Sequence, residues 1–147
     1  MNFRLVEDID KKRIFMFLKS IDGEFYPPLH VRVDLDDYSS KLASNAVNLF
    51  LVSDNTDVAH AAFYCNDLKS KVSFISSIGL IPEFQGSGAA GYLLQKVIEK
   101  CSEKKMNLLR LEVDSQNLKA VKFYKRQGFR FVSNNLMEKD LAIVEYN

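Results

Sequence analysis

Ile78-Gly79-Leu80-Ile81-Pro82-Glu83-Phe84-Gln85-Gly86-Ser87-Gly88-Ala89-Ala90-Gly91-Tyr92-Leu93-Leu94 is the stretch whose reading decides how the chain is organised. Residues 71–81 are rich in Val, Ile and Phe and stop at Pro82, which has no N–H to give to a strand ladder. Residues 88–103 carry Leu93, Leu94, Val97, Ile98 and Cys101 at helical spacing, an amphipathic helix with one apolar face. Between strand and helix lies a turn of small residues. Several backbone N–H groups therefore converge at the positive end of a helix with no side chains in the way, an arrangement suited to phosphate. The same glycines would also serve a turn kept tight for packing alone, and the loop by itself does not choose. It matches neither of two familiar nucleotide loops. No Gly-Lys-Ser/Thr closes it, and it lacks the first-strand βαβ setting and ribose-binding acid of a dinucleotide fold.

Upstream, residues 3–6 read as a short strand. A helix follows, with Asp8 as its expected N-cap and Ile9, Ile14, Phe17 and Leu18 on one face. Periodicity is lost over 21–33, where Phe25-Tyr26-Pro27-Pro28-Leu29 predicts a loop with apolar content. A short acidic helix over 34–44 comes next. Strands at 47–53 and 58–65, joined by the polar turn Asp54-Asn55-Thr56-Asp57, form a meander with 71–81. Downstream, 108–113 reads as a strand, 118–126 as a helix, Gly128-Phe129 as a stop followed by a strand, and 136–144 as a final strand. The order is strand, two helices, three-strand meander, helix, strand, helix, two strands. It implies one α/β domain over 1–147, a mixed sheet with helices on both sides.

Two segments carry a family resemblance. Gln85-x-x-Gly88-x-Ala90 resembles the R/Q-x-x-G-x-G/A signature with which the GNAT (N-acetyltransferase) superfamily holds the pyrophosphate of coenzyme A. The run from Leu111 through Glu112, Asn117, Ala120 and Tyr124 to Gly128-Phe129 is similar to that family's strand, Asn, Ala, Tyr and Gly-Phe series. The resemblance covers roughly residues 75–132. It implies a mostly antiparallel sheet of six to seven strands flanked by about four helices and splayed between the fourth and fifth strands. It also implies acetyl-CoA as cosubstrate and a primary amine, on a small molecule or a protein, as acceptor. By this likeness the N–H groups of Gln85, Gly86, Ser87, Gly88, Ala89 and Ala90 hold the pyrophosphate, while Ile78 and Leu80 pair through their backbone with the pantetheine arm. Asn117 would hydrogen-bond that arm, and it is equally well placed to cap the helix after it.

An amine near neutral pH must lose a proton before it attacks a thioester carbonyl, and the departing thiolate must gain one. The resemblance makes Tyr124 the general acid; on the residues alone it could instead be a core aromatic. Its neighbour Phe123 points about 100° away on the same helix, so one ring can pack while the other reaches a cleft. In the alternating strand 108–113, Leu109, Leu111 and Val113 take one face and Arg110 and Glu112 the other. Some family members use a glutamate at the position of Glu112 as base, while an ion pair with Arg110 is its structural alternative. No acid lies in 72–80, where other members carry a base; His60, Ser76 and Ser77 are weaker candidates. The Phe25 to His30 stretch falls where the family places its acceptor loop, and Asp34, Asp36 and Asp37 could meet a cationic amine or simply begin a helix.

The bulk properties exclude several classes. With 20 basic against 19 acidic side chains there is no broad field to draw nucleic acid or an anionic membrane. The two cysteines, Cys65 and Cys101, show no disulfide or CxxC pattern, and His30 and His60 lack zinc spacing, so no metal is expected. No secretory leader or membrane-spanning run is apparent, which points to the cytoplasm. The acceptor's identity, the acyl chain and homodimerisation are left open. A coenzyme A-binding module without catalysis is the rival from another class.

Overall fold

The computed structural model describes residues 2–142. Seven strands form one mixed sheet: β1 (Arg4–Glu7), β2 (Val47–Ser53), β3 (Thr56–Tyr64), β4 (Val72–Leu80), β5 (Leu108–Glu112), β6 (Arg130–Ser133) and β7 (Leu136–Asp140). Their spatial order is β1-β2-β3-β4-β5-β7-β6. Every neighbouring pair is antiparallel except β4 and β5. That parallel pair needs a crossover, supplied by the helix α4 (Ala89–Glu103). The other helices are α1 (Lys11–Ser20), α2 (Leu29–Arg32), α3 (Leu35–Asn45) and α5 (Leu118–Arg126). The expected architecture is present, with one helix more than expected: α2 is a single turn inside the span read as loop, held by the buried Leu29. The expected final strand ends at Asp140; its last residues, 143 and 144, lie outside the described residues.

Alternation along the strands divides the core into two halves. Leu49, Leu51, Ala61 and Phe63 face α4 and α5, where Leu93, Leu94, Val97 and Val121 meet them. Phe50 and Ala62 face the other way, onto Ile14, Phe17 and Leu18 of α1 and Leu42 of α3. The first helix begins later than its sequence pattern suggested. Asp10, not Asp8, caps it by accepting from the Lys12 N–H at 2.9 Å, and Ile9 is 64% exposed. Asp8 is drawn off to Arg13, whose guanidinium also forks onto Asp57 at the start of β3 and ties α1 to the sheet.

What matters most for the site happens along β4. Its pairing with β5 runs from Val72↔Leu108 to Ile75↔Leu111 and stops. The next residue, Ser76, is the extra one of a β-bulge: Ile75 faces Phe63 of β3 and Ser77 faces Ala62, leaving Ser76 unpaired. A bulge bends and twists its strand, so β4 turns away from β5 while keeping its ladder with β3 as far as Leu80. The expected splay between fourth and fifth strands is this opening.

Cys65 and Cys101 are buried free thiols, as expected. His60 is fully buried; its Nε2–H donates to Asn48 Oδ1 at 2.9 Å, and the Asn48 amide in turn donates to the Leu42 and Ala46 carbonyls. Burial lowers the His60 pKa from 6.5 to about 3, so the folded protein holds a neutral ring. Below pH 6.5 the unfolded chain takes up a proton that the folded protein refuses until about pH 3. Stability is therefore lost as pH falls through this window, by up to about 1.4 kcal/mol per pH unit. Denaturant unfolding at pH 7 and pH 5 is expected to show a steeper acid loss for the natural protein than for His60→Gln, which keeps an N–H donor for Asn48 but cannot titrate.

Candidate active site

Two cavities open where β4 parts from β5, and they meet. One, of about 600 Å³, runs between β4 and α5 to the start of α4. The other, of about 330 Å³, lies between β4, the end of β5 and the chain connecting α1 to α3. Ile78, Asn117, Ala120 and Tyr124 border both, as do Glu24 and Phe25 from the loop after α1. Tyr124 is thus at the junction, the one ionisable side chain on α5 to touch both spaces.

The larger cavity ends at the glycine-rich turn. Gly86 and Gly88 have φ of +77° and +89°, and a Cβ on either would meet nothing within 4 Å. Packing does not require these glycines; the left-handed backbone does, and the space beside it is free. Within the turn the Gln85 N–H donates to the Pro82 carbonyl, the Ser87 N–H to the Phe84 carbonyl and the Ala89 N–H to Ser87 Oγ. The N–H groups of Gly86, Gly88, Ala90 and Gly91 have no acceptor among the described residues, and all four of these residues border the cavity. Orphan donors at a helix start, gathered on one open space, are an arrangement suited to an anion. Ser87 and Ala89 face inward and do not border it. Lys119 and Arg126 of α5 do border it. Sequence reading passed over these two cations and Gly91, although Lys119 and Arg126, seven residues apart, fall on one helix face with Tyr124's neighbour Phe123 between them. Gln85 is held on both sides: its amide donates to Glu24 Oε1 at 2.9 Å, and Lys119 donates to its Oε1 at 3.3 Å.

Along the cavity wall, Ile78, Gly79 and Leu80 present the β4 edge that β5 has vacated. Gly79 is needed here for close packing, since a Cβ would stand 2.7 Å from Ile21 Cδ1 and 3.2 Å from Phe25 Cζ. Asn117 caps α5, its Oδ1 accepting from the Ala120 N–H, and still borders both cavities, so capping and a ligand contact are compatible. Tyr124 packs edge-on against Phe123 and Phe129. Burial pushes its phenol well above the usual tyrosine range, so it stays protonated and can donate.

Chain comparison agrees with this geometry: residues 12–129 match the model of the acetyltransferase (GNAT) family. The chain belongs to the GNAT family. Membership makes it an acyltransferase by class. Solved structures of the same fold include a GNAT-family acetyltransferase of Desulfovibrio desulfuricans, with a TM-score of 0.77 and 16% identity over 96% of this chain and 100% of that one. The ribosomal-protein-S18-alanine N-acetyltransferase of Escherichia coli has a TM-score of 0.73 at 17% identity, over 99% of this chain and 97% of that one. The PaiA N-acetyltransferase of Thermoplasma acidophilum, solved with coenzyme A, has a TM-score of 0.73 at 17% identity, over 95% and 99%. No curated protein sequence matches the chain.

In this GNAT chain the smaller cavity holds the remaining candidates. Glu112 borders it at the end of β5, exposed and without an ion pair among the described residues. Its expected alternative partner Arg110 instead pairs with the buried Glu138 of β7 at 2.7 Å. Ser76 and Ser77 also border it; His60 borders neither cavity. Asp34 caps α3 by accepting from the Asp37 N–H, Asp36 pairs with Lys11, and none of the three aspartates reaches a cavity. Among the described residues no helix is long and apolar enough to cross a membrane.

Proposed function

We propose that this protein is an acetyl-CoA-dependent N-acetyltransferase that acetylates a primary amine by direct attack within a ternary complex. The observation that carries the proposal is the meeting of two cavities at Tyr124, one lined by orphan backbone donors and the other by a carboxylate. The donor set fits a diphosphate: four unpartnered N–H groups at a helix start, with Lys119 and Arg126 beside them. The exposed β4 edge at Ile78 and Leu80 fits an extended amide-bearing arm, which would take the hydrogen bonds that β5 no longer makes. When bound, acetyl-CoA supplies a thioester carbonyl that an amine can attack.

The chain's own residues then have separable tasks. Glu112, free of Arg110, takes the proton of the incoming ammonium, directly or through water. An unpaired β4 N–H next to the bulge stabilises the oxyanion that develops on the carbonyl, an effect of a few kcal/mol where water is excluded. Tyr124, kept protonated by its surroundings, gives its proton to the departing sulfur. Asn117 holds α5 in register with the junction through its cap. No covalent intermediate is invoked, because neither cavity is bordered by Cys65 or Cys101 and Ser76 and Ser77 have no adjacent base.

Thiol release from acetyl-CoA with a panel of amines tests the reading directly. Turnover on at least one acceptor is expected; coenzyme binding without turnover on any would leave a non-catalytic binding module, and preference for succinyl- or longer acyl-CoA would change the donor. Tyr124→Phe is expected to lower turnover by roughly ten- to a thousandfold with coenzyme A affinity nearly unchanged, and Glu112→Gln to lower it by about tenfold or more. Calorimetry with coenzyme A should show Gly88→Glu binding at least about tenfold more weakly, since it sets a carboxylate among the orphan donors. Ser102→Glu, at an exposed position near the far end of α4, should bind normally.

A further inference from the structure

The smaller cavity is not uniformly acidic, and its charges are sorted. Glu112 and Asp114 stand on the β5 side, and Glu24, from the loop after α1, also borders the cavity with its carboxylate engaged by the Gln85 amide. Arg32 of α2 stands on the β4 side, near enough for its charge to act on the Tyr38 hydroxyl, which is hydrogen-bonded to Ser76 of β4. Arg13, Arg110 and Arg130 each have a carboxylate partner, whereas Arg32 has none among the described residues. On the same side Ser77, only 6% exposed, borders the cavity, its hydroxyl buried beside that of Tyr38. A guanidinium without a carboxylate partner on a cavity wall is a donor fork that a planar anion satisfies.

We infer that the acceptor is a small aminocarboxylate, its amine directed to Glu112 and Tyr124 and its carboxylate to Arg32. This rests on the transferase reading above. Arg32 borders only the smaller cavity, not the junction, so it can hold the acceptor's far end but not the reacting one. At the Arg32 end a second ammonium would face the guanidinium, whereas a carboxylate is attracted to it. The cavity volume of about 330 Å³ is at the small end for ligand sites and suits a molecule of amino-acid size. Phe25 and Pro27 offer an apolar wall on which the acceptor's remaining atoms can lie.

The test compares thiol release from acetyl-CoA with free L-amino acids, β-alanine and γ-aminobutyrate against their carboxamides, the matching decarboxylated amines, spermidine and short peptide amides. At least one free aminocarboxylate should be acetylated with kcat/KM about tenfold or more above its own carboxamide. Arg32→Gln should raise KM for that acceptor and erase the preference, and Arg32→Lys should restore part of it. Equal or faster turnover of spermidine, a peptide amide or a decarboxylated amine would overturn the inference while leaving the transferase reading intact, as would an unchanged preference in Arg32→Gln. Thiol release with no acceptor of either kind would overturn both.

Discussion

Past Ile75 and Leu111 two parallel strands stop sharing hydrogen bonds, and every polar backbone group on the vacated edge must find a partner elsewhere. The cause is one residue. Ser76 has no opposite number on β3, so β4 bends at that point and its last four residues keep only one neighbouring strand. A sheet opened in its middle, rather than at its rim, presents unpaired donors and acceptors inside the molecule, walled by α5 on one face and by the α1–α3 connection on the other. Both cavities exist because of that opening.

The crossover that makes β4 and β5 parallel also supplies the second half of the site. A parallel neighbour requires a helix between the strands, and the start of that helix necessarily lies beyond the end of β4. Orphan N–H groups are unavoidable at a helix start. Here Gly86 and Gly88, with their positive φ, turn those groups toward open space instead of into the turn. Free helix-start donors and a free strand edge are thus joined end to end by connectivity alone. The cations on α5 and the hydroxyl of Tyr124 are added by the face that this helix turns to the gap.

Polar groups buried on the other face of the sheet do different work. His60, Asn48 and the carbonyls ending α3 form a closed set that locks α3 to β2 and β3, with one bare ring nitrogen kept neutral by desolvation. Tyr38 reaches from α3 to Ser76 at the bulge itself. The third helix is in this way fastened to the residue that opens the sheet, which couples its position to the geometry of the splay.

The alternation and helical periodicity written along the chain determined nearly all of the elements, their order and a mixed sheet, because those signals are local and repeat within a few residues. The spacing of Gln85, Gly88 and Ala90, and of Asn117, Tyr124 and Gly128, was enough to mark the two segments that meet at the junction. Local pattern misplaced the start of α1, where Arg13, anchored by the distant Asp57, engages Asp8. It could not reveal the α2 turn, which is held by burial of Leu29 rather than by propensity. Nor could it tell that Arg110 would turn to Glu138 and leave Glu112 free, since that depends on which strand lies beside β5. Only the tertiary structure decided which amides of the glycine turn are already spent within it, where β4 leaves β5, and that Arg32 lines the same cavity as Glu112 and Asp114. Each of these is a relation between residues far apart in sequence, and no periodicity encodes the partner that a group will find once the chain has closed on itself.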